Sequence, residues 1–173
     1  MKTLVTGGAR SGKSSYAESL YQDYDDVLYI ATYINEHNDS EMENRIKKHV
    51  EQRNSKWQTY EASYNLDVEN NKVMLDCLSV FTSNVLFYYA KDVEYINDEL
   101  FQKVLKHLEK EVDYLIENNK EVIIVTNEVG SSLVPINHVE RIYRDLLGKI
   151  NVYAANKCNN VYLVVCGQNI KIK

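Results

Sequence analysis

Near the start of the chain, Gly7-Gly8-Ala9-Arg10-Ser11-Gly12-Lys13-Ser14 satisfies the pattern G-x-x-x-x-G-K-[ST] at every defined position. A short apolar run, Thr3 to Thr6, precedes it, and Ala17, Glu18 and Leu20 follow at helical spacing. Strand, loop and helix in that order are the context such a loop needs. Its glycines permit positive φ, so main-chain N–H groups can turn inward toward phosphate oxygens, and the helix that follows adds the positive end of its dipole. Lys13 then meets the β- and γ-phosphates and Ser14 the Mg²⁺ ion. The bland alternative is a chance glycine-rich turn, and the flanking strand and helix speak against it. A nucleoside triphosphate is the expected ligand.

At 173 residues the chain is expected to form a single domain, residues 1–173, with a core large enough to need neither disulfides nor metals. A net charge of -5 argues against a general nucleic-acid binder, which would carry a basic surplus. Cys77, Cys158 and Cys166 have no C-x-x-C spacing, so no zinc site is indicated; Cys77 and Cys166 fall in apolar runs and read as buried thiols. No apolar run approaches membrane-spanning length and no leader is visible, so neither membrane association nor export is expected and the cytoplasm is the expected location. The fourteen tyrosines, without basic interleaving, read as packing and not as a base-stacking surface.

Five short apolar or β-branched runs stand out: Thr3 to Thr6, Val27 to Thr32, Val73 to Leu75, Val122 to Thr126 and Val161 to Cys166. Continuous runs of this kind suit strands buried on both faces of a parallel sheet. Helical spacing lies between them, from Lys13 to Tyr21, from about Asp39, from Leu78 to Tyr89, from Asn97 to Glu117 and from about Val139 to Ala155. The expected fold class is therefore α/β, with a mostly parallel central sheet flanked by helices.

Several groups could carry chemistry. In the helix from Asp39, Glu41, Arg45, His49 and Arg53 recur every fourth residue beside an apolar stripe of Met42, Ile46 and Val50. An imidazole between two guanidiniums is placed to meet a phosphoryl group and to stay neutral and nucleophilic. Spacing alone favours a solvated face with an incidental histidine and i,i+4 pairs such as Glu41 with Arg45. Asp76 closes the third apolar run, where it serves either as the strand-end acid on Mg²⁺ or as a helix cap. Glu61 has no signature of its own. Glu128, at the end of the fourth run, is either a base or a group that holds the ligands around Mg²⁺, or else the cap of the next turn. Arg141 and Asp145 are spaced for an intrahelical ion pair. His37, His107 and His138 show no partner pattern.

Taken together these residues resemble the bifunctional adenosylcobinamide kinase and adenosylcobinamide-phosphate guanylyltransferase family of cobalamin biosynthesis. The match runs from Gly7–Ser14 through Tyr29-Ile30-Ala31-Thr32, Arg45-Ile46-Lys47-Lys48-His49, Arg53, Trp57, Glu61, Asp76-Cys77-Leu78, Asn84, Asn127-Glu128-Val129-Gly130, Val134-Pro135 and Arg144-Asp145 to the closing Ile170-Lys171-Ile172-Lys173. The resemblance implies a RecA-like P-loop NTPase fold and two reactions. Adenosylcobinamide is phosphorylated by ATP or GTP, and GMP is then transferred from GTP to adenosylcobinamide phosphate through a GMP-histidine, here His49. It further implies nucleotide contacts from Gly7, Gly8, Ala9, Arg10, Ser11, Gly12, Lys13 and Ser14, from Ala31, Thr32 and Tyr33, from Val50, Glu51, Gln52 and Arg53, and from Glu61 and Asp76. Mg²⁺, held by Ser14 and Asp76, and a homotrimer are implied in the same way. Two departures stand out: Ser132 occupies a position where the family commonly has glycine, and Gly167-Gln168-Asn169 lacks a proline often found there. A plain P-loop kinase of another metabolite and a nucleotide-binding regulatory module are the competing readings.

Overall fold

The structure is a computed structural model and describes residues 1–33 and 53–173. Seven strands form one sheet: β1 (Lys2–Gly7), β2 (Val27–Ala31), β3 (Gln58–Glu61), β4 (Lys72–Asp76), β5 (Glu121–Asn127), β6 (Asn160–Val165) and β7 (Gln168–Lys171). Their order is β3-β2-β4-β5-β1-β6-β7. Every pairing is parallel except the β6–β7 hairpin. Four described helices accompany the sheet: α1 (Lys13–Ser19), α2 (Leu78–Ala90), α3 (Asp98–Asn118) and α4 (His138–Lys157). The helix expected from Asp39, and with it His37, Glu41, Arg45, His49, Val50, Glu51 and Gln52, lies outside the described residues.

Why the strand runs are continuously apolar is visible in the core. Leu4, Ile30, Val73, Leu75, Val122 and Ile124 share one buried cluster with residues of α2, α3 and α4. Their neighbours Val5, Tyr29, Met74, Ile123 and Val125 join a second cluster with Ala17 and Tyr21 at α1, and with Trp57. Successive strand residues point to opposite faces, and both faces are covered along β1, β2, β4 and β5, so the interiors of these runs do not face water. On α3 the expected stripe is realised: Val104, Leu108, Val112 and Leu115 are fully buried and Leu100 packs at the edge.

Two further strands lie beyond the five apolar runs. Gln58–Glu61, which reads equally as a loop, pairs with β2 although all four of its residues are exposed. Gln168–Lys171 is an exposed edge strand in antiparallel pairing with β6. Cys166 is exposed and not a buried thiol, because the strand ends at Val165 and Cys166 turns the chain at φ 51°. Cys77 is half-buried, and it is Cys158 that is buried.

The segment leading into β4 is pinned by one polar side chain. Asn119 is 3% exposed; its Nδ2 donates to the carbonyls of Val68 (3.0 Å) and Leu115 (2.8 Å), and its Oδ1 accepts from the Asn70 N–H (2.6 Å). Replacing it by alanine leaves buried main-chain groups unpaired. Asn119→Ala is expected to lower stability by about 2–4 kcal/mol at the usual penalty for such groups, as read by urea unfolding; a change within about 0.5 kcal/mol would contradict this role.

Candidate nucleotide and phosphoryl-transfer site

The C-terminal ends of the parallel strands form one rim, and the registers align it. Glu61 pairs with Ala31, Ala31 with Asp76, and Asp76 with Val125, while Gly7 pairs with Asn127. Residues from Gly7 to Asn127 are thus brought to neighbouring strand ends. With β5 between β1 and β4, a cleft separates the phosphate loop from Asp76, and ligands of open α/β sheets occupy such positions.

The loop leaves β1 at Gly7, whose carbonyl accepts from the Glu128 N–H at 3.1 Å. It turns through Arg10 (φ 57°) and Gly12 (φ 94°), and the Ser11 N–H donates back to Gly8 at 3.3 Å. At Gly12 a side chain would be strained by the backbone angle, and its Cβ would stand 3.2 Å from the Cα of Gly167. The Gly167 N–H in turn donates to the Ser11 carbonyl at 2.8 Å, so the β6–β7 turn braces the loop from outside. Lys13 Nζ donates to the Gly8 carbonyl at 3.1 Å, folding the ammonium over the loop. Burial lowers its pKa, against the opposing pull of Cys77 and Asp76 nearby. Ser14 is half-buried one residue on.

Across the cleft the end of β2 is locked to the end of β4. Thr32 is fully buried; its Oγ1 donates to the Cys77 carbonyl (2.9 Å) and accepts from the Cys77 N–H (2.8 Å), and Asn84 Nδ2 donates to the Thr32 carbonyl (2.8 Å). Tyr33 follows, half-buried. The Tyr29 hydroxyl donates to Asp76 Oδ2 at 3.0 Å, and the Arg53 guanidinium lies over the Tyr29 ring, 3.7 Å from its centre. Burial, then the Asp76 charge, pushes the Tyr29 hydroxyl well above its usual range, so it remains a donor.

Glu18 is a member of this group to which the motif assigns no role. It lies one helical turn beyond Ser14, on the same side of α1. Burial, then the like charge of Asp76, raises its carboxyl to about 7 against the lowering influence of Arg53. Spacing from Ser14 was the available signal, but a glutamate in a helix is ordinary and its burial is set by the folded sheet. Tyr29, Asn84 and Gly167 likewise have roles that become legible only from their partners.

Other expectations resolve on the far side of the rim. The Glu128 carboxylate accepts from the N–H groups of Gly130 (2.7 Å) and Ser131 (3.3 Å), which makes it a turn cap. Burial pushes its pKa up, but the Ser131 and Gly130 hydrogen bonds and the Arg144 charge outweigh this and hold it low, leaving it ill suited to act as a base. Ser132, where glycine is common in the family, sits in the negative-φ region and its Oγ donates to the Val129 carbonyl at 2.8 Å, so the substitution closes the turn without strain. Arg141 does not pair with Asp145; it donates to the carbonyls of Pro135 and Ile136. His107 contacts the Tyr89 hydroxyl and the Tyr64 carbonyl, and His138 stacks on Tyr95, both as packing elements.

The donor set suits a hard cation. Ser14 and Asp76 offer oxygen only, and Mg²⁺ binds through one or two carboxylates while drawing its remaining ligands from phosphates and water. Among the described residues no three His, Cys, Asp or Glu side chains gather into a metal site.

Comparison with known proteins agrees with the geometry. Residues 3–172 match the family described as CobU, cobinamide kinase / cobinamide phosphate guanyltransferase. The chain is 40% identical to the bifunctional adenosylcobalamin biosynthesis protein CobU of Escherichia coli K12 and 37% identical to that of Salmonella typhimurium LT2, in both cases over 100% of each chain. It is 32% identical to the bifunctional adenosylcobalamin biosynthesis protein CobP of Pseudomonas aeruginosa, over 100% of this chain and 98% of that protein. In shape it is similar to the PH0250 protein of Pyrococcus horikoshii OT3, with a TM-score of 0.50 at 10% identity over 99% of this chain and 85% of that one, a likeness of fold alone.

The raised carboxyl of Glu18 has a consequence for stability. Between its ordinary 4.5 and about 7, the folded chain holds a proton that the unfolded chain has released, so the cost of ionising Glu18 is absent below this window and complete above it. Without metal or nucleotide, the melting temperature of Glu18→Gln should rise relative to the parent as pH goes from 5 to 8; a pH-independent difference would contradict the assignment.

Proposed function

The chain belongs to the cobinamide kinase / cobinamide phosphate guanyltransferase family, and we propose that it phosphorylates adenosylcobinamide with ATP or GTP and then transfers GMP from GTP to the resulting phosphate, as one domain spanning residues 1–173. The observation that carries this reading is the phosphate loop, with Lys13 laid over it, facing Asp76 across a cleft of parallel strand ends.

In the kinase step the Gly7–Ser14 loop holds the triphosphate through its N–H groups. Lys13 exchanges the Gly8 carbonyl for phosphate oxygens and neutralises charge as the γ-phosphoryl group leaves for the aminopropanol hydroxyl of the corrinoid. The new O–P bond forms as the bond to the departing nucleoside diphosphate breaks, and the hydroxyl's proton passes to water. Ser14 and Asp76 would hold Mg²⁺, which when bound would supply charge neutralisation.

In the transferase step neutral His49 attacks the α-phosphorus of GTP. An N–P bond forms, the bond to the β-phosphate oxygen breaks and pyrophosphate departs. A phosphate oxygen of adenosylcobinamide phosphate then displaces the histidine, giving adenosylcobinamide-GDP. Ala31, Thr32, Tyr33, Val50, Glu51, Gln52, Arg53 and Glu61 complete the nucleotide contacts. The pairing of Ala31 with both Glu61 and Asp76 supports a shared role for these strand ends.

A homotrimer belongs to the same reading. Leu133 and Ile136, on the loop after β5, are 93% and 97% exposed, an apolar surface that association would cover. Among the described residues no helix is long and apolar enough to cross a membrane; work on nucleotides and corrinoid in the cytoplasm follows from the proposed reactions.

Intact-protein mass spectrometry after incubation with GTP and Mg²⁺, without corrinoid, tests the reading. A GMP adduct is expected on the parent protein and none on His49→Ala, while Lys13→Ala weakens triphosphate binding by about tenfold or more, the scale of one charge-assisted phosphate contact. No adduct where GTP demonstrably binds would instead support a plain kinase.

A further inference from the structure

The seam between α1 and the ends of β2 and β4 holds more charge than the expected nucleotide contacts use. Glu18 comes from α1, Asp76 from β4, and Arg53 stacks on Tyr29 of β2, whose hydroxyl is already committed to Asp76. Two polar atoms there, Glu18 Oε1 and Arg53 Nη1, are inaccessible to solvent and have no hydrogen-bond partner among the described residues. A carboxylate oxygen left in this state is costly, since a buried polar group without a partner loses its hydration for nothing. The simplest explanation, that Glu18 exists to neutralise Arg53, leaves both atoms unpaired.

The vacant capacity is a donor on Arg53 and an acceptor on Glu18, and the acceptor belongs to a side chain one helical turn from Ser14 and within electrostatic reach of Asp76. A hydrated divalent cation presents water O–H donors and positive charge together. Mg²⁺ sheds its water reluctantly and keeps several molecules when bound to a nucleotide, so a site for it needs outer acceptors as well as direct ligands. A second carboxylate beside Asp76 is otherwise a repulsive arrangement, and a cation reverses its sign.

We infer that Glu18 is a positioning residue for the cation–triphosphate complex, its carboxylate accepting hydrogen bonds from the water shell of the ion held by Ser14 and Asp76. Glu18 touches neither the phosphorus nor the acceptor; it orients the hydrated ion, and through it the triphosphate. This rests on the proposed nucleotide reading of the cleft. It also accounts for the choice of glutamate over an apolar residue at a place where the metal-free protein would be better served by one.

The probe is GTP bearing an α,β-methylene bridge, which blocks transfer to His49, titrated calorimetrically at pH 8 over a range of Mg²⁺ concentrations. Parent protein, Glu18→Gln and Asp76→Asn are compared. Glu18→Gln should require about tenfold more Mg²⁺ for half-maximal enhancement of analogue binding, the usual scale for loss of an outer-shell partner. Its affinity for the analogue without metal should be unchanged or tighter, because a negative charge near the phosphates has gone. An unchanged Mg²⁺ midpoint in Glu18→Gln, with a shifted one in Asp76→Asn, overturns the role of Glu18 alone. Equal weakening of Glu18→Gln with and without Mg²⁺ also overturns it, since that is the mark of a structural residue. Analogue binding that ignores Mg²⁺ in the parent protein overturns the cation reading and this inference together.

Discussion

A triphosphate concentrates several negative charges on one end of a small molecule, and the protein must meet them with donors that need no rearrangement. The turn from Gly7 to Ser14 meets this demand, and much of the rim is organised to hold it. Its left-handed angle at Gly12 is available because no side chain intervenes, and the same absence lets Gly167 approach from the β6–β7 turn. The brace from Gly167 to Ser11 means that the exposed terminal hairpin serves the loop as well as closing the sheet. Insertion of β5 between β1 and β4 then sets the width of the cleft, placing Asp76 across from the loop and not against it.

Opposite the loop the chain tolerates an expensive arrangement. Asp76, Tyr29, Arg53 and Glu18 gather where α1 meets the sheet, beside a buried apolar cluster. Burial of this kind does not stabilise the empty fold. In the proposed function its return comes when phosphate and cation arrive, a guanidinium meeting phosphate and carboxylates meeting the cation. The paired hydrogen bonds of Thr32 with Cys77 hold the strand ends in register, so that these charges keep their spacing whether or not the cleft is filled.

How far the chain could be read beforehand follows from the kind of signal each part leaves. Strands buried on both faces leave uninterrupted apolar runs, so β1, β2, β4, β5 and β6 were visible, and the loop was visible because its chemistry demands particular residues at fixed spacing. The exposed edge strands β3 and β7 were not, since pairing at a sheet edge asks nothing of their side chains. Cys166 was misread because hydrophobic neighbours cannot reveal that the backbone turns at that residue. Glu128 had two open roles from sequence and became a turn cap only once its N–H donors were in view. Glu18 and Tyr29 depend on long-range packing, which one sequence does not encode in any local pattern. His49 was reached from helix spacing and from motif order, and the transferase half of the account depends on it.

In the proposed transferase reaction GMP passes through the protein on its way to the corrinoid. The direct measurement is a single-turnover chase: isolated protein carrying radiolabelled GMP, freed of GTP and pyrophosphate, is mixed with adenosylcobinamide phosphate and quenched at short times. Label is expected to leave the protein and to appear in adenosylcobinamide-GDP at least as fast as steady-state turnover. Label that stays on the protein, or leaves more slowly than turnover, would contradict a covalent GMP-histidine on the reaction path.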